Sequence, residues 1–174
     1  IRDPRKNVNM LLKSFARVRA EFPRLRLIIT GDEPLDSTTA LAAQLNLSDS
    51  VKFIGHVSTD DLITLYQSAT LFVFSSLQEG LGISVLDAMS CGIPVVSTRC
   101  GGPEGSVEDG ITGLLTPNGD EIAFAQAILS LLKNPERARA MGAAARQRAL
   151  QTFAVPIIEK QLHRAFASVY PQHF

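Results

Sequence analysis

Ser75-Ser76-Leu77-Gln78-Glu79-Gly80-Leu81-Gly82-Ile83-Ser84-Val85-Leu86-Asp87-Ala88-Met89-Ser90-Cys91-Gly92-Ile93-Pro94-Val95-Val96-Ser97-Thr98-Arg99-Cys100-Gly101-Gly102-Pro103 is the stretch that decides the fold. The apolar run Leu71–Phe74 precedes it, short and β-prone enough to be a buried strand. Ser84 to Ser90 reads as one short helix, because Val85, Leu86 and Met89 fall on one face at helical spacing. Cys91-Gly92 ends it, since glycine takes the left-handed cap conformation cheaply. Ile93–Ser97 is a second apolar run, with Pro94 near the first strand position, where a missing donor does least harm. A strand–loop–helix–strand unit of this kind is almost always parallel and right-handed. The expected fold class is therefore α/β, a Rossmann-like doubly wound parallel sheet flanked by helices, with residues 1–174 forming a single domain.

In such sheets ligands bind outside the carboxyl ends of the strands. Glu79-Gly80-Leu81-Gly82 occupies that position. Its two glycines let the backbone approach a ligand closely. The helix start behind them offers free N–H groups and the positive end of a dipole, a seat for phosphate. The Glu79 carboxylate is expected to serve a different group, such as the hydroxyls of a sugar, since it can only accept hydrogen bonds. Asp87 falls on the helix face opposite Val85 and Met89 and is expected to point away from the sheet. Spacing alone leaves Glu79 readable as a solvated loop carboxylate and Asp87 as a plain exposed helix residue.

Glu79-Gly80-Leu81-Gly82, an acid eight positions after the first, then Ala88-Met89-Ser90-Cys91-Gly92-Ile93-Pro94-Val95-Val96 and Gly101-Gly102-Pro103, resembles the donor-binding domain of group 1 glycosyltransferases. The resemblance runs from Lys6 to the last helix. It implies one half of a GT-B fold and retaining transfer of a hexosyl group from a nucleotide-diphosphate sugar, UDP- or GDP-linked, to an acceptor hydroxyl. It also implies roles. Lys6 and the backbone N–H groups of residues 81–84 would face the diphosphate, within a substrate-binding loop of Gly80, Leu81, Gly82 and Ile83. Glu79 would hold the sugar hydroxyls, Asp87 the ribose, Gly31 a loop beside the phosphates, and Val57 the base through its backbone. Lys6 and Glu79 are the candidate catalytic residues. Asp87 stands where the family usually has Glu, with one methylene less of reach, and Asn7 where it usually has Gly. The family's arginine belongs a few residues upstream of Lys6, and neither Arg2 nor Arg5 is expected to replace it.

Around this centre, Val8, Leu11, Leu12, Phe15 and Val18 set a helix from about Asn7 to Phe22, with Asn7 as N-cap. Lys6, just before it, is by spacing alone a solvated lysine. Strands are expected at Leu25–Thr30, Val51–Gly55 and Thr112–Thr116. Helices are expected at Asp36–Leu47, from Ser58 or Thr59 to Ser68, at Asp120–Leu132, from Pro135 to about Gln151, and at Pro156–Val169. The helix Asp120–Leu132 should bury Ile122, Ala125, Ile128, Leu129 and Leu132. Glu104–Gly110 reads as acidic turns, Arg137, Arg139, Arg146 and Arg148 as a solvated face, and the final helix as carrying an exposed apolar strip. Doubly wound domains usually begin with a strand, and none precedes the first helix. The expectation is a domain excised from a longer enzyme, its first strand lost or supplied from elsewhere and its N-terminal acceptor domain missing.

Composition narrows the classes further. The chain has 174 residues, of which 45% are hydrophobic and 20% charged, with a formal net charge of zero. That suits one domain with a sizeable core and gives no nucleic-acid footprint. No run approaches membrane-spanning length. Cys91 and Cys100 are expected to be reduced, in a cytoplasmic setting. With His56, His163 and His173 scattered, no metal site is expected and no cofactor is implied. His56, in the loop before the helix at Ser58 or Thr59, reads as an ordinary loop histidine. No lysine lies between Lys52 and Lys133 to hold pyridoxal phosphate, and no Gly-x-Gly-x-x-Gly follows a strand, which sets aside a phosphorylase and a dehydrogenase. A nucleotide-sugar epimerase half-domain and a degenerate nucleotide-binding or interaction domain remain as alternatives.

Overall fold

The structure, a computed structural model, describes residues 2–169; His173 lies outside them. After a 3-10 turn at Pro4–Lys6, α1 spans Val8–Glu21, β1 Leu27–Ile29, α2 Asp36–Gln44, β2 Val51–Phe53, α3 Thr59–Ser68, β3 Phe72–Phe74 and α4 Ile83–Ser90. Then come β4 Val95–Thr98, α5 Gly102–Ser106, β5 Gly113–Thr116, α6 Glu121–Leu132, α7 Pro135–Arg148, a π-helical turn at Ala149–Phe153, and α8 Val155–Val169.

Every strand pairing is parallel: β1 with β2, β3 with β4, and β4 with β5. The strands form a two-stranded sheet and a three-stranded sheet that are not hydrogen bonded to each other. β4 shows why the doubly wound reading succeeds. Val95 and Val96 are both fully buried, yet Val96 packs with α1 and α6 while Val95 packs with α3, α4 and α7. Successive side chains on a strand point to opposite faces, so helices must cover both. α6 seals one side through Phe124 and Leu131, and α4 the other through Val85, Ala88 and Met89.

The apolar periodicity located the elements, but several details differ. On α6 the buried stripe is Phe124, Ala125, Ile128 and Leu131, with Leu129 and Leu132 at its margin and Ile122 52% exposed. Asp120 accepts hydrogen bonds from the N–H groups of Ile122 and Ala123, which fixes the helix start and turns Ile122 outward. Gly102–Ser106 is a short helix, not a turn; the Glu104 carboxylate accepts the Gly101 N–H at 2.9 Å. α2 stops at Gln44 because Asn46 turns left-handed (φ 56°), and the chain doubles back to bury Leu47. Arg137 and Arg139 are exposed, but Arg146 and Arg148 are not merely solvated. Arg146 donates to the Ser90 carbonyl and Arg148 to the carbonyls of Ser106 and Gly105 and to Glu108, tying α7 to α4 and α5.

α8 buries no residue. Its Val155, Ile158, Leu162 and Val169 form the expected exposed apolar strip beside an open depression of about 500 Å³. None of the residues lining that depression belongs to the loop 79–82. No helix among the described residues is long and apolar enough to cross a membrane. Both cysteines are free thiols.

Candidate functional site

Parallel pairing sends the loops after the strands to the carboxyl edge of each sheet. The N-terminal segment reaches the edge of the three-stranded sheet, where the Leu77 N–H, just beyond β3, donates to the Arg5 carbonyl at 2.6 Å. The Ser75 hydroxyl donates to the Lys6 carbonyl at 2.8 Å. The chain then turns sharply at Asn7, which is left-handed (φ 50°) and makes no side-chain cap bond. Asn7 thus occupies the N-cap position without capping. Its task is conformational, and asparagine is among the few residues besides glycine that accept this region.

The turn aims Lys6 into the loop. Its Nζ donates to Glu79 Oε2 at 2.7 Å and lies 5.6 Å from the centre of the Phe74 ring. Glu79 Oε1 accepts the Gly80 N–H at 3.2 Å. The ammonium beside Glu79 holds its carboxyl below the usual carboxylate range, and the N–H groups of Gly80 and Gly82 help. Gly82 (φ 76°) then turns the chain into α4, whose first N–H groups have no intrahelical acceptor. Leu81 and Ile83 flank this point, 53% and 66% exposed. Arg5 is turned away into a pair with Asp3.

A second glycine pair fixes the loop from beneath. The Glu79 N–H donates to the Cys100 carbonyl at 2.8 Å and the Gly102 N–H to the Glu79 carbonyl at 2.7 Å. A Cβ on Gly101 would come within 2.8 Å of the Glu79 carbonyl oxygen, and one on Gly102 within 2.5 Å of the Leu81 carbonyl carbon. Sequence reasoning assigned these two glycines no role, although the Gly-Gly-Pro signal was visible.

The Asp87 side chain sits half-buried on α4 without a hydrogen bond or ion pair among the described residues. Burial pushes its carboxyl above the usual range. Burial, and then the Asp87 charge, pushes the Tyr66 phenol up to about 12. The Tyr66 hydroxyl donates to the Ser84 carbonyl at 3.3 Å. An acceptor that is neither paired nor fully hydrated is available to hydroxyl donors of a ligand. Gly31 (φ 116°) follows β1, where its N–H donates to the Gly55 carbonyl at 2.9 Å, and Val57 follows β2 in the same edge region. His56 faces Asp32 at 3.1 Å, largely exposed. The structure therefore joins Lys6, Glu79 and Gly80 by direct contact and sets Leu81, Gly82 and Ile83 beside them. Asp87 stands along α4, and Gly31 and Val57 lie on the neighbouring sheet. Among the described residues no three His, Cys, Asp or Glu side chains converge as metal ligands would.

Known proteins share this arrangement of the chain. A mannosyltransferase of Mycolicibacterium smegmatis, GDP-mannose-dependent and acting on phosphatidylinositol monomannoside, is 34% identical over 158 residues, 86% of this chain and 41% of its own length. The D-inositol 3-phosphate glycosyltransferase of Salinispora tropica is 31% identical over 98% of this chain and 37% of its own length. The chain thus spans less than half the length of these curated relatives. Among solved structures, Anabaena Alr3699/HepE in complex with UDP and glucose superposes with a TM-score of 0.87 at 26% identity, over 95% of this chain and 46% of that one. Sucrose-phosphate synthase of Thermosynechococcus elongatus gives 0.85 at 30% identity, over 97% and 43%. These neighbours are GT-B enzymes and carry the same α/β architecture. Residues 2–148 match the model of the group 1 glycosyl transferases, and the chain belongs to that family.

Proposed function

We propose that this chain is the donor-binding part of a retaining hexosyltransferase, taking a nucleotide-diphosphate sugar at the carboxyl edge of its sheets. The observation that carries the reading is the convergence of the Lys6 ammonium and the Gly80 N–H on Glu79, beside the free N–H groups at the start of α4. A cation, backbone donors and a helix dipole together make an anion seat. The UDP complex of HepE and the GDP-mannose dependence of the mycobacterial relative support a nucleotide sugar, UDP- or GDP-linked.

Transfer needs charge relief as the diphosphate departs. Lys6, the N–H groups from Gly80 to Ile83 and the helix end serve that charge electrostatically once Glu79 has turned to the sugar. Glu79 orients the sugar through its hydroxyls. Asp87 accepts from the ribose, where its half-buried, unpaired carboxylate gains the donors it lacks. Gly31 allows the phosphates to approach the loop after β1, and the Val57 backbone meets the base. Asn7 keeps the left-handed turn that glycine would make, so this departure from the family pattern leaves the placement of Lys6 intact. The acceptor belongs to a separate N-terminal domain, so residues 1–174 bind donor without turning it over. The chain as a whole works in the cytoplasm, and its donor site functions without a metal.

Isothermal calorimetry with UDP, GDP and their sugar forms tests the reading. Binding of one nucleotide family, lost in Asp87→Ala, is the expected result. Equal failure of all four ligands would overturn it.

A further inference from the structure

The seat just described holds an anion that belongs to the protein. Both oxygens of Glu79 are engaged, one by Lys6 at 2.7 Å and the other by the Gly80 N–H at 3.2 Å, with Gly82 adding to the stabilisation. These are the donors that the proposed function gives to the diphosphate. The pair is partly shielded, with side chains 42% and 23% exposed. Sequence reasoning kept Glu79 apart from the phosphate seat on the ground that its carboxylate can only accept hydrogen bonds. The structure places the carboxylate in that seat, where it acts as a phosphate would.

We propose that Glu79 is a built-in competitor for the diphosphate seat, and that it sets the preference for nucleotide sugar over free nucleoside diphosphate. The inference rests on the reading of the site as a nucleotide-sugar seat. Lys6 has three N–H donors, but two anions held on it at contact distance repel each other, so diphosphate binding favours a carboxylate that has moved away. Gly80 is exposed and open around its Cα, so rotation of the Glu79 side chain releases the seat without moving α4. Where the carboxylate goes then decides affinity. With a sugar on the terminal phosphate, the displaced acceptor meets neutral hydroxyl donors. With a free nucleoside diphosphate it meets no hydroxyls and a terminal phosphate of higher negative charge. The same side chain therefore opposes the product-like ligand and accepts the donor.

The test is calorimetry on residues 1–174 and the variants Glu79→Gln, Lys6→Met and the double variant, with UDP, UDP-glucose, GDP, GDP-mannose and inorganic diphosphate. Gln keeps the size and removes the charge, and thermal melts confirm that each variant folds. Glu79→Gln is expected to tighten free nucleoside diphosphate and inorganic diphosphate about five-fold, the scale of a partly exposed ion pair. It is expected to weaken the nucleotide sugar, and the tightening should vanish when Lys6 is also replaced. Unchanged or weaker diphosphate affinity in Glu79→Gln overturns the competitor role. If only sugar affinity falls, the nucleotide-sugar reading stands and the competitor is lost. If Glu79→Gln gains inorganic diphosphate while no protein binds a nucleotide, competition for the seat stands, but the nucleotide-sugar reading and the preference built on it are lost. If no protein binds any of these ligands, both are lost.

Discussion

Replacing Gly102 by alanine tests whether the loop 79–82 is held in shape from beneath. The added Cβ would lie 2.5 Å from the Leu81 carbonyl carbon and 2.7 Å from its Cα and N. Carbon atoms settle at roughly 3.5–4.0 Å, so the Leu81 backbone must retreat by about 1 Å. The obstacle is main chain, which cannot swing aside as a side-chain tip would, and the Gly102 N–H bond to the Glu79 carbonyl at 2.7 Å resists the retreat. Overpacking of this kind costs about 1–3 kcal/mol. At roughly 2–4 °C per kcal/mol for a chain of this size, the midpoint of that range lowers the melting temperature by about 4–8 °C. The same shift carries the Leu81 and Gly82 N–H groups away from Lys6 and should weaken nucleotide binding at least ten-fold, since about 1 Å of misplacement disables a positioned site. Differential scanning calorimetry and UDP titration read the two effects. Gly105→Ala is the control, because nothing lies within 4 Å of its added Cβ. A Gly102→Ala chain that melts within a degree of wild type and binds UDP unchanged would refute the clamp.

Other outcomes follow from single contacts. Burial raises the Asp87 carboxyl in the folded chain, so its charged form opposes folding above the ordinary aspartate range. Asp87→Asn should therefore raise the melting temperature at pH 7, lose that gain as pH falls through about 4, and still weaken nucleotide binding; a lower melting temperature at pH 7 would contradict this. Arg148→Ala removes donors to Ser106, Gly105 and Glu108 between α7 and α5 and should cost roughly 1–3 kcal/mol in urea unfolding. A loss below 0.5 kcal/mol, the ordinary surface range, would return Arg148 to the solvated class. Leu162→Glu, on the exposed strip of α8, should leave the melting temperature unchanged and reduce concentration-dependent association in sedimentation velocity. Greater association in the variant would contradict that.

The strands and helices were legible because burial on both faces of β4 demands the run Ile93–Ser97, and because α1 and α4 carry plain helical stripes. The phase of α6 was misread because nearly every position there is apolar, so periodicity could not choose a face, whereas the Asp120 cap did. The helix Gly102–Ser106 was hidden by its glycines and proline, which read as turn residues; Glu104 bonding back to Gly101 was the available signal. Asn7 was visible as a cap residue but serves as a left-handed turn, a distinction that only dihedrals make. At the site, the grouping of Glu79 with Gly80 and Gly82 at the start of α4 was legible from the motif. The Lys6–Glu79 contact was not, because it joins residues far apart in the chain through a turn whose shape the sequence does not state. Arg148 likewise reads as one arginine among several until the packing of α7 on α5 is seen.

The most direct measurement is a backbone amide NMR titration of residues 1–174 with UDP-glucose and GDP-mannose. One of the two should shift Gly80, Leu81, Gly82 and Ile83 together with Asp87 and the turn at Lys6, at a saturating dose and in fast or intermediate exchange. Shifts confined to α8, or none at the 79–83 loop for either ligand, would contradict a donor seat at the start of α4.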